Sequence, residues 1–68
     1  MDIVKNMKIL RIKEVCERLG VSKSTIYNYM NNGDFPLPIK LSRRSIGWLE
    51  AEIEDWILDR VDERDGYN

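Results

Sequence analysis

Histidine is absent from this chain of 68 residues, and cysteine occurs only once, at Cys16. Zinc sites of the Cys/His type, disulfide frameworks and histidine acid–base catalysis therefore lack their ligands or bases. Cys16 lies among apolar residues at helical spacing, which favours a small core residue over a reactive thiol. We therefore predict that the chain is not an enzyme and that it holds no metal ion and no cofactor.

Long apolar runs are missing as well. No stretch approaches the ~20 residues of a membrane span, and the amino terminus has no apolar signal core. Hydrophobic residues make up 43% of the chain and charged residues 34%, a balance typical of a globular domain rather than of a disordered chain. We expect one cytoplasmic domain over residues 1–68, with neither a membrane nor a small-molecule substrate among its partners.

Charge is distributed unevenly along the chain, although the formal net charge is only -1. Residues 1–45 carry nine lysines or arginines against four acidic residues, a net charge of +5. Residues 46–68 carry two against eight, a net charge of −6. Because association responds to the local field more than to the total charge, the basic front of the chain favours a polyanionic partner.

Two short helices separated by a glycine turn are predicted in the first half of the chain. The first covers residues 13–19, where the apolar residues fall on one helical face, and Gly20 ends it. The second begins after Ser22, a good N-cap, and ends at the "NNG" of 31–33. Two helices joined by a turn of about three residues form a helix-turn-helix.

A β-hairpin is predicted next. The segment "DFPLP" cannot be helical, because each proline also restricts the residue before it. The alternation that follows pairs Leu41 with Ile46 and places Ile39 opposite Trp48 in an antiparallel register. The four residues "SRRS" at 42–45 are then left as the hairpin tip.

A last helix, from Leu49 to Val61, closes the predicted core. Its apolar residues follow helical spacing, and its acidic residues lie mostly on the outer face. Residues 1–8 are predicted as a loose arm, 9–11 as a short extended piece and 62–68 as a frayed tail. The predicted fold is mainly α with a small β-hairpin, a winged helix-turn-helix. Its aromatic core residues are expected to be Tyr29, Phe35, Trp48 and Trp56.

Polar side chains that the core does not use lie on the second helix. In a helix-turn-helix this helix enters the major groove of DNA, with its first residues facing base edges. Ser24 and Thr25, near the positive helix end, suit phosphate oxygens, and Tyr27 suits a phosphate or a sugar. Asn28 is a candidate base reader, suited to adenine. The predicted DNA-binding set on this helix is Ser22, Lys23, Ser24, Thr25, Tyr27 and Asn28, the alternative being ordinary cap and surface residues.

The hairpin tip carries two adjacent arginines, Arg43 and Arg44, which repel each other and serve no core. A hairpin with a basic tip beside a recognition helix can lie along phosphates or enter the neighbouring minor groove. Lys40 lies on the same hairpin and joins the predicted DNA-binding residues. The alternative is a solvated tip that aids solubility.

An ordered set of motifs resembles the AlpA family of phage and prophage regulators, relatives of excisionases in the MerR-like winged-helix group. The set comprises "GVSKSTIY", "FPLPIKL", the tryptophan at 48 and "EIEDWI", within a similarity from Ile9 to about Val61. The resemblance implies a bacterial, nucleoid-associated protein that binds double-stranded DNA and activates an integrase gene or helps direct prophage excision. Partners implied beside DNA are another copy of the chain or an integrase.

The same resemblance implies roles for particular residues. Ser24, Thr25, Tyr27 and the two tip arginines fall on the family's binding surface. Asn28 stands where such proteins often carry arginine, which bears on affinity and on the target sequence. The competing interpretation is a small protein-interaction module, in which the same surface or the acidic last helix inhibits a partner protein. The basic front favours the DNA-binding interpretation.

Overall fold

The computed structural model describes residues 7–66. Three helices and three short strands make up this part of the chain, so the prediction of a mainly α fold with a small β-hairpin is confirmed. In chain order the elements are β1 (Ile9–Leu10), α1 (Ile12–Leu19), α2 (Lys23–Asn31), β2 (Ile39–Ser42), β3 (Ser45–Leu49) and α3 (Glu50–Asp65). Of the predicted arm, residues 1–6 lie outside the described residues.

The strands form one antiparallel sheet in the order β1-β3-β2. The extended piece predicted at residues 9–11 becomes β1, which pairs Ile9 with Leu49 and Leu10 with Trp48. Sequence patterning did not indicate this pairing, because two residues are too few to show a period. The pairing brings Leu10 into the core, where it is 1% exposed.

The predicted hairpin register is wrong by one residue. Ile39 lies opposite Gly47, and Lys40 lies opposite Ile46, with an irregularity between Lys40 and Ser42. The cause lies at Gly47, where a Cβ atom would lie 2.6 Å from Ile9 Cγ2 and 3.1 Å from Leu41 Cδ1. The missing side chain leaves room for Ile9 and Leu41 on that face of the sheet, and this accommodates the bulge.

The hairpin tip is shorter than predicted. Ser42 and Ser45 pair with each other at the ends of β2 and β3. The turn therefore consists of Arg43 and Arg44 alone, instead of the four residues 42–45. Both arginines are exposed.

The helix-turn-helix forms where it was expected, with a small change at its start. Helix α1 begins at Ile12. The backbone N–H of Arg11, the residue before it, donates a hydrogen bond to the Glu14 carboxylate at 2.9 Å, and this capping bond fixes the start of the helix. Gly20 ends α1 with φ +69°, a left-handed conformation that suits glycine. The predicted cap of α2 is confirmed, since Ser22 Oγ accepts a hydrogen bond from the Thr25 N–H at 3.3 Å.

Helix α3 begins directly after β3, with Leu49 in the cap position and no side-chain cap bond. It continues to Asp65, so the prediction of a frayed tail is wrong for residues 62–65. The apolar stripe used for that prediction marks only the buried part of a helix. Beyond it, Glu63 and Arg64 have good helix propensity and continue the helix, supported by an ion pair of 3.1 Å between Arg60 and Glu63. Residues 67–68 lie outside the described residues.

Between residues 7 and 66, six buried side chains form the core: Leu10, Val15, Ile26, Phe35, Trp48 and Ile53. Phe35 meets Trp48 and Trp56 edge to face at centroid distances of 6.0 and 5.1 Å, and Tyr29 lies 5.5 Å from Trp56. The indole N–H of Trp48 donates to the Pro36 carbonyl at 2.9 Å. The four aromatic residues predicted for the core therefore join α2, the following loop, β3 and α3.

Helix α3 also holds the loop that follows α2. The carbonyl of Asp34 accepts hydrogen bonds from the indole N–H of Trp56 and from Arg60 Nη2. The Arg60 guanidinium lies 4.6 Å from the centre of the Trp56 ring, within the range of a cation–π contact. Asp34 in turn donates its backbone N–H to the Tyr29 carbonyl at 2.9 Å. The end of α2 is therefore anchored to α3.

Candidate nucleic-acid interface

One face of α2 is free of the core. Lys23, Ser24, Tyr27 and Asn28 are exposed, whereas Ile26 on the opposite face is fully buried. Ser24, Tyr27 and Asn28 are spaced three and four residues apart, so they lie side by side on one helical surface. Tyr27, an aromatic residue, is 44% exposed. This face presents a hydroxyl, a phenol, an amide and an ammonium group to solvent.

The first turn of α2, at the positive end of the helix dipole, carries no acidic side chain. Helix α1 carries Glu14 in its first turn and α3 carries Glu50 and Glu52, but the first turn of α2 has no acidic residue. Lys23 stands there instead, although a cation at that end costs about 0.3–1 kcal/mol of helix stability. A helix end of this kind favours anions such as phosphate groups.

Two of the predicted contacts on α2 are engaged in the helix cap. The hydroxyl oxygens of Ser22 and Thr25 lie 3.1 Å apart and share a hydrogen bond, and Thr25 is half-buried. The Ser24 hydroxyl makes no hydrogen bond with any residue between 7 and 66. Ser24 is therefore the hydroxyl of the three that is available to a ligand without disturbing the cap.

The wing presents three cations. Lys40, Arg43 and Arg44 are exposed, and among residues 7–66 none of them takes part in an ion pair. The structure places them on the hairpin, separate in sequence from the α2 residues. Three other arginines are paired with carboxylates: Arg18, Arg60 and Arg64.

The acidic residues lie mainly on α3. Arg18 of α1 is bonded to Glu50 and lies 3.6 Å from Glu54, so that these carboxylates are partly neutralised. A groove of about 510 Å³ separates α3 from the loop at 33–36. The acidic residues lining it are Asp34, Glu52, Asp55, Asp59 and Glu63. Acidic side chains of this kind repel phosphates.

Two arginines that matter to this arrangement were not identified from the sequence. Arg60 was counted only as a charge of the acidic half, although its position four residues after Trp56 is a signal for stacking on that ring. Arg11 was counted as a charge of the basic half and lay in the extended piece predicted at 9–11, but its Nε donates to the Ile46 carbonyl of β3 at 3.1 Å. No local pattern indicates this contact, because the two residues are 35 positions apart.

Between residues 7 and 66, no three Cys, Asp or Glu side chains are grouped so that they could hold a metal ion. Over the same residues, no helix combines the length and the apolar character needed to cross a membrane.

A two-helix unit of α1 and α2, followed by the β2–β3 hairpin and by α3, defines a winged helix-turn-helix protein. The profile of a family described as "Prophage CP4-57 regulatory protein (AlpA)" matches residues 8–61. This chain belongs to the AlpA family, which confirms the resemblance of its motifs.

Two relatives illustrate the family. The chain is 35% identical over 60 residues to the "DNA-binding transcriptional activator AlpA" of Escherichia coli (strain K12), an alignment covering 79% of this chain and 86% of that protein. It is 36% identical over 54 residues to the "Uncharacterized protein ORF88" of Enterobacteria phage P4. That alignment covers 79% of this chain but only 61% of the phage protein, so the chain spans less than two thirds of that relative.

Proposed function

We propose that this protein is a sequence-specific DNA-binding regulator of a phage or prophage. The observation that carries the proposal is the exposed polar face of α2, whose first turn carries Lys23 and no acidic residue. In a winged helix-turn-helix this face enters the major groove. The Escherichia coli relative is named as a DNA-binding transcriptional activator, and this supports the same function.

Roles on DNA follow from the chemistry of each exposed group. Asn28 reads a base edge, while Lys23, Ser24 and Tyr27 hold phosphates or sugars. Ser22 and Thr25 maintain the cap and direct backbone N–H groups toward a phosphate. Lys40, Arg43 and Arg44 lie along phosphates or enter the adjacent minor groove. Helix α3, with its carboxylates, faces away from DNA.

We propose further that the protein activates an integrase gene, acts as an excision factor that sets the direction of recombination, or does both. Both roles use the same surface to bend DNA or to recruit an integrase or a second copy. They place the protein in the bacterial cytoplasm, on the nucleoid. Two assays separate these roles. A promoter fusion measures activation of the integrase gene and responds without recombination, whereas an assay with purified integrase measures excision itself.

Sequence-specific binding is tested by selection from a random double-stranded oligonucleotide library. Fluorescence anisotropy then compares an enriched sequence with its shuffled control. We expect specific binding to be about 10³-fold or more tighter than non-specific binding. If no sequence is enriched and the two probes bind alike, the proposal of sequence-specific recognition is wrong.

Recognition by α2 is tested by substituting its exposed residues one at a time. Asn28→Ala should weaken binding to the enriched site by roughly 1–3 kcal/mol and relax the preference at one base pair, because a bidentate amide contact is lost. Ser24→Ala and Tyr27→Ala should weaken all sites more evenly, because they remove phosphate or sugar contacts. Asn31→Ala, at the far end of α2, serves as the matched control. Unchanged affinity in all three variants would remove α2 from the interface.

A second candidate function is a protein contact through α3. Leu58 is 58% exposed on this acidic helix. If it meets a neighbouring copy, Leu58→Glu should reduce cooperative binding to DNA with two adjacent sites by about 10- to 150-fold, because fully burying a leucine contributes about 1.5–3 kcal/mol. Leu37→Glu, at a loop residue that is 82% exposed, is the control. Equal cooperativity in parent and Leu58→Glu, with no effect on an integrase, would exclude the contact.

A further inference from the structure

The central strand β3 is paired to different lengths along its two edges. Strand β2 accompanies it from Ser45 to Gly47, whereas β1 pairs only with Trp48 and Leu49. Toward the tip, the sheet therefore narrows to a ribbon of two strands. Two-stranded ribbons are marginally stable and twist more than wider sheets. The angle of the wing needs a further support near Ile46.

Arg11 provides that support. Its Nε donates to the Ile46 carbonyl at 3.1 Å, on the edge of β3 where β1 has ended. The backbone of Arg11 is itself fixed at the start of α1, since its N–H donates to Glu14 at 2.9 Å and its carbonyl accepts from Val15 at 3.0 Å. A single residue therefore joins the first helix of the helix-turn-helix to the ribbon.

A small rotation at this point is magnified at the tip. Ile46 and Arg44 are two residues apart, about 7 Å along a strand. A rotation of about 20°, comparable to the ordinary twist between strands, would move the tip by about 2 Å. That displacement is enough to break a hydrogen bond to a phosphate, since such bonds weaken steeply beyond about 3.2 Å.

We propose that Arg11 is a positioning residue for the wing, which it holds at the angle where Arg43 and Arg44 reach DNA. This inference rests on the proposed function, because it presumes that the wing contacts DNA. Arg11 was not among the DNA-binding residues predicted from the sequence. Its effect passes through the bond to Ile46 rather than through its charge.

Two variants with side chains of similar length separate the effect of the Arg11 hydrogen bond from the effect of the Arg11 charge. Glutamine places its amide nitrogen as many bonds from Cα as the Nε of arginine, so Arg11→Gln keeps the donor and loses the charge. Arg11→Met places a methyl carbon there and loses both. Arg11→Met should weaken binding to the enriched DNA site by about five- to tenfold, the range of one net hydrogen bond. Arg11→Gln should stay within about twofold of the parent.

The route of the effect is tested in a double-mutant cycle. In a background of Arg43→Ala and Arg44→Ala, Arg11→Met should change affinity by less than about twofold, because the wing has nothing left to place. Lys13→Met, an exposed α1 residue with no hydrogen bond among residues 7–66, should have the same small effect in both backgrounds. Without DNA, the heteronuclear NOE of the Arg43 and Arg44 amides should fall in Arg11→Met and be retained in Arg11→Gln.

The outcomes that overturn the inference differ from those that overturn the proposed function. Arg11 is a direct phosphate contact, and only the positioning role is wrong, if Arg11→Met causes equal losses in both backgrounds. The same conclusion follows if Arg11→Lys keeps the parental affinity while Arg11→Gln behaves like Arg11→Met. If the tip double variant keeps the parental affinity, the wing contact fails and the role of Arg11 fails with it. If the parent binds no DNA at all, the proposed function itself is wrong.

Discussion

Trp48→Ala should remove most of the stability of this domain. The side chain is 0% exposed, contacts Phe35 edge to face and donates its indole N–H to Pro36. Loss of a buried tryptophan costs about 3–5 kcal/mol, while a domain of this length has roughly 3–10 kcal/mol in all. Urea and thermal unfolding followed by circular dichroism measure the change, and we expect the melting temperature to fall by at least about 12 °C.

Two further variants show which property of Trp48 matters. Trp48→Phe keeps a ring for Phe35 but leaves the Pro36 carbonyl without its donor, so its cost should be intermediate, about 1–3 kcal/mol. Leu37→Ala removes an apolar side chain that is 82% exposed and should stay within about 0.5 kcal/mol of the parent. A melting temperature of Trp48→Ala within a few degrees of the parent would mean that Trp48 is not the centre of the core.

Replacing Arg43 and Arg44 together with alanine should produce a large loss of DNA affinity. Each phosphate neutralised by a cation contributes ~0.9 to the slope of log K against log salt. The double variant should flatten this slope by about 1–2 and weaken binding about 10- to 100-fold at 0.1 M salt. If the tip lies on phosphates, enriched and shuffled DNA should lose affinity equally. If it enters the minor groove, the loss should be larger with A·T-rich flanks, where the narrow groove concentrates negative potential.

Controls for the tip variant address stability and net charge. Its melting temperature should match that of the parent, because both arginines are exposed and contribute no apolar burial. Arg64→Ala removes a positive charge from the far end of α3 and should leave the salt slope unchanged. Parental affinity and an unchanged slope in the double variant would show that the tip is a solvated turn.

Sequence patterns predicted the helices well because helical signals are local. Ser22 and Gly20 mark helix ends through their own backbone geometry, and the apolar stripes mark the buried faces. The hairpin register could not be obtained in this way. It depends on Gly47, over which Ile9 and Leu41 lie, and Ile9 comes from a strand almost forty positions away. The membership of Leu10 in the core was missed for the same reason.

For the candidate interface, the exposure of the side chains could be predicted from the sequence, whereas their hydrogen bonds could not. Exposure of Lys23, Ser24, Tyr27 and Asn28 followed from the helical period, and the structure agrees on their exposure. Their contacts with DNA stay a prediction. Thr25 was considered a free hydroxyl, but its bond with Ser22 could be seen only in three dimensions. Arg11 and Arg60 donate hydrogen bonds to the backbone carbonyls of Ile46 and Asp34, and the residue that supplies such a carbonyl cannot be identified from a sequence pattern.

Strand β3 passes directly into helix α3, and this limits where the chain can accept an insertion. Leu49 ends the strand and Glu50 begins the helix, with no residue between them. An insertion there would turn α3 by about 100° for each added residue, and would withdraw Trp56 and Arg60 from the Asp34 carbonyl that they hold. An insertion between Arg43 and Arg44 would instead lengthen an exposed turn, where the loop-closure cost grows slowly with length. Evolution and engineering should therefore vary the reach of the wing at its tip and preserve the junction at its base.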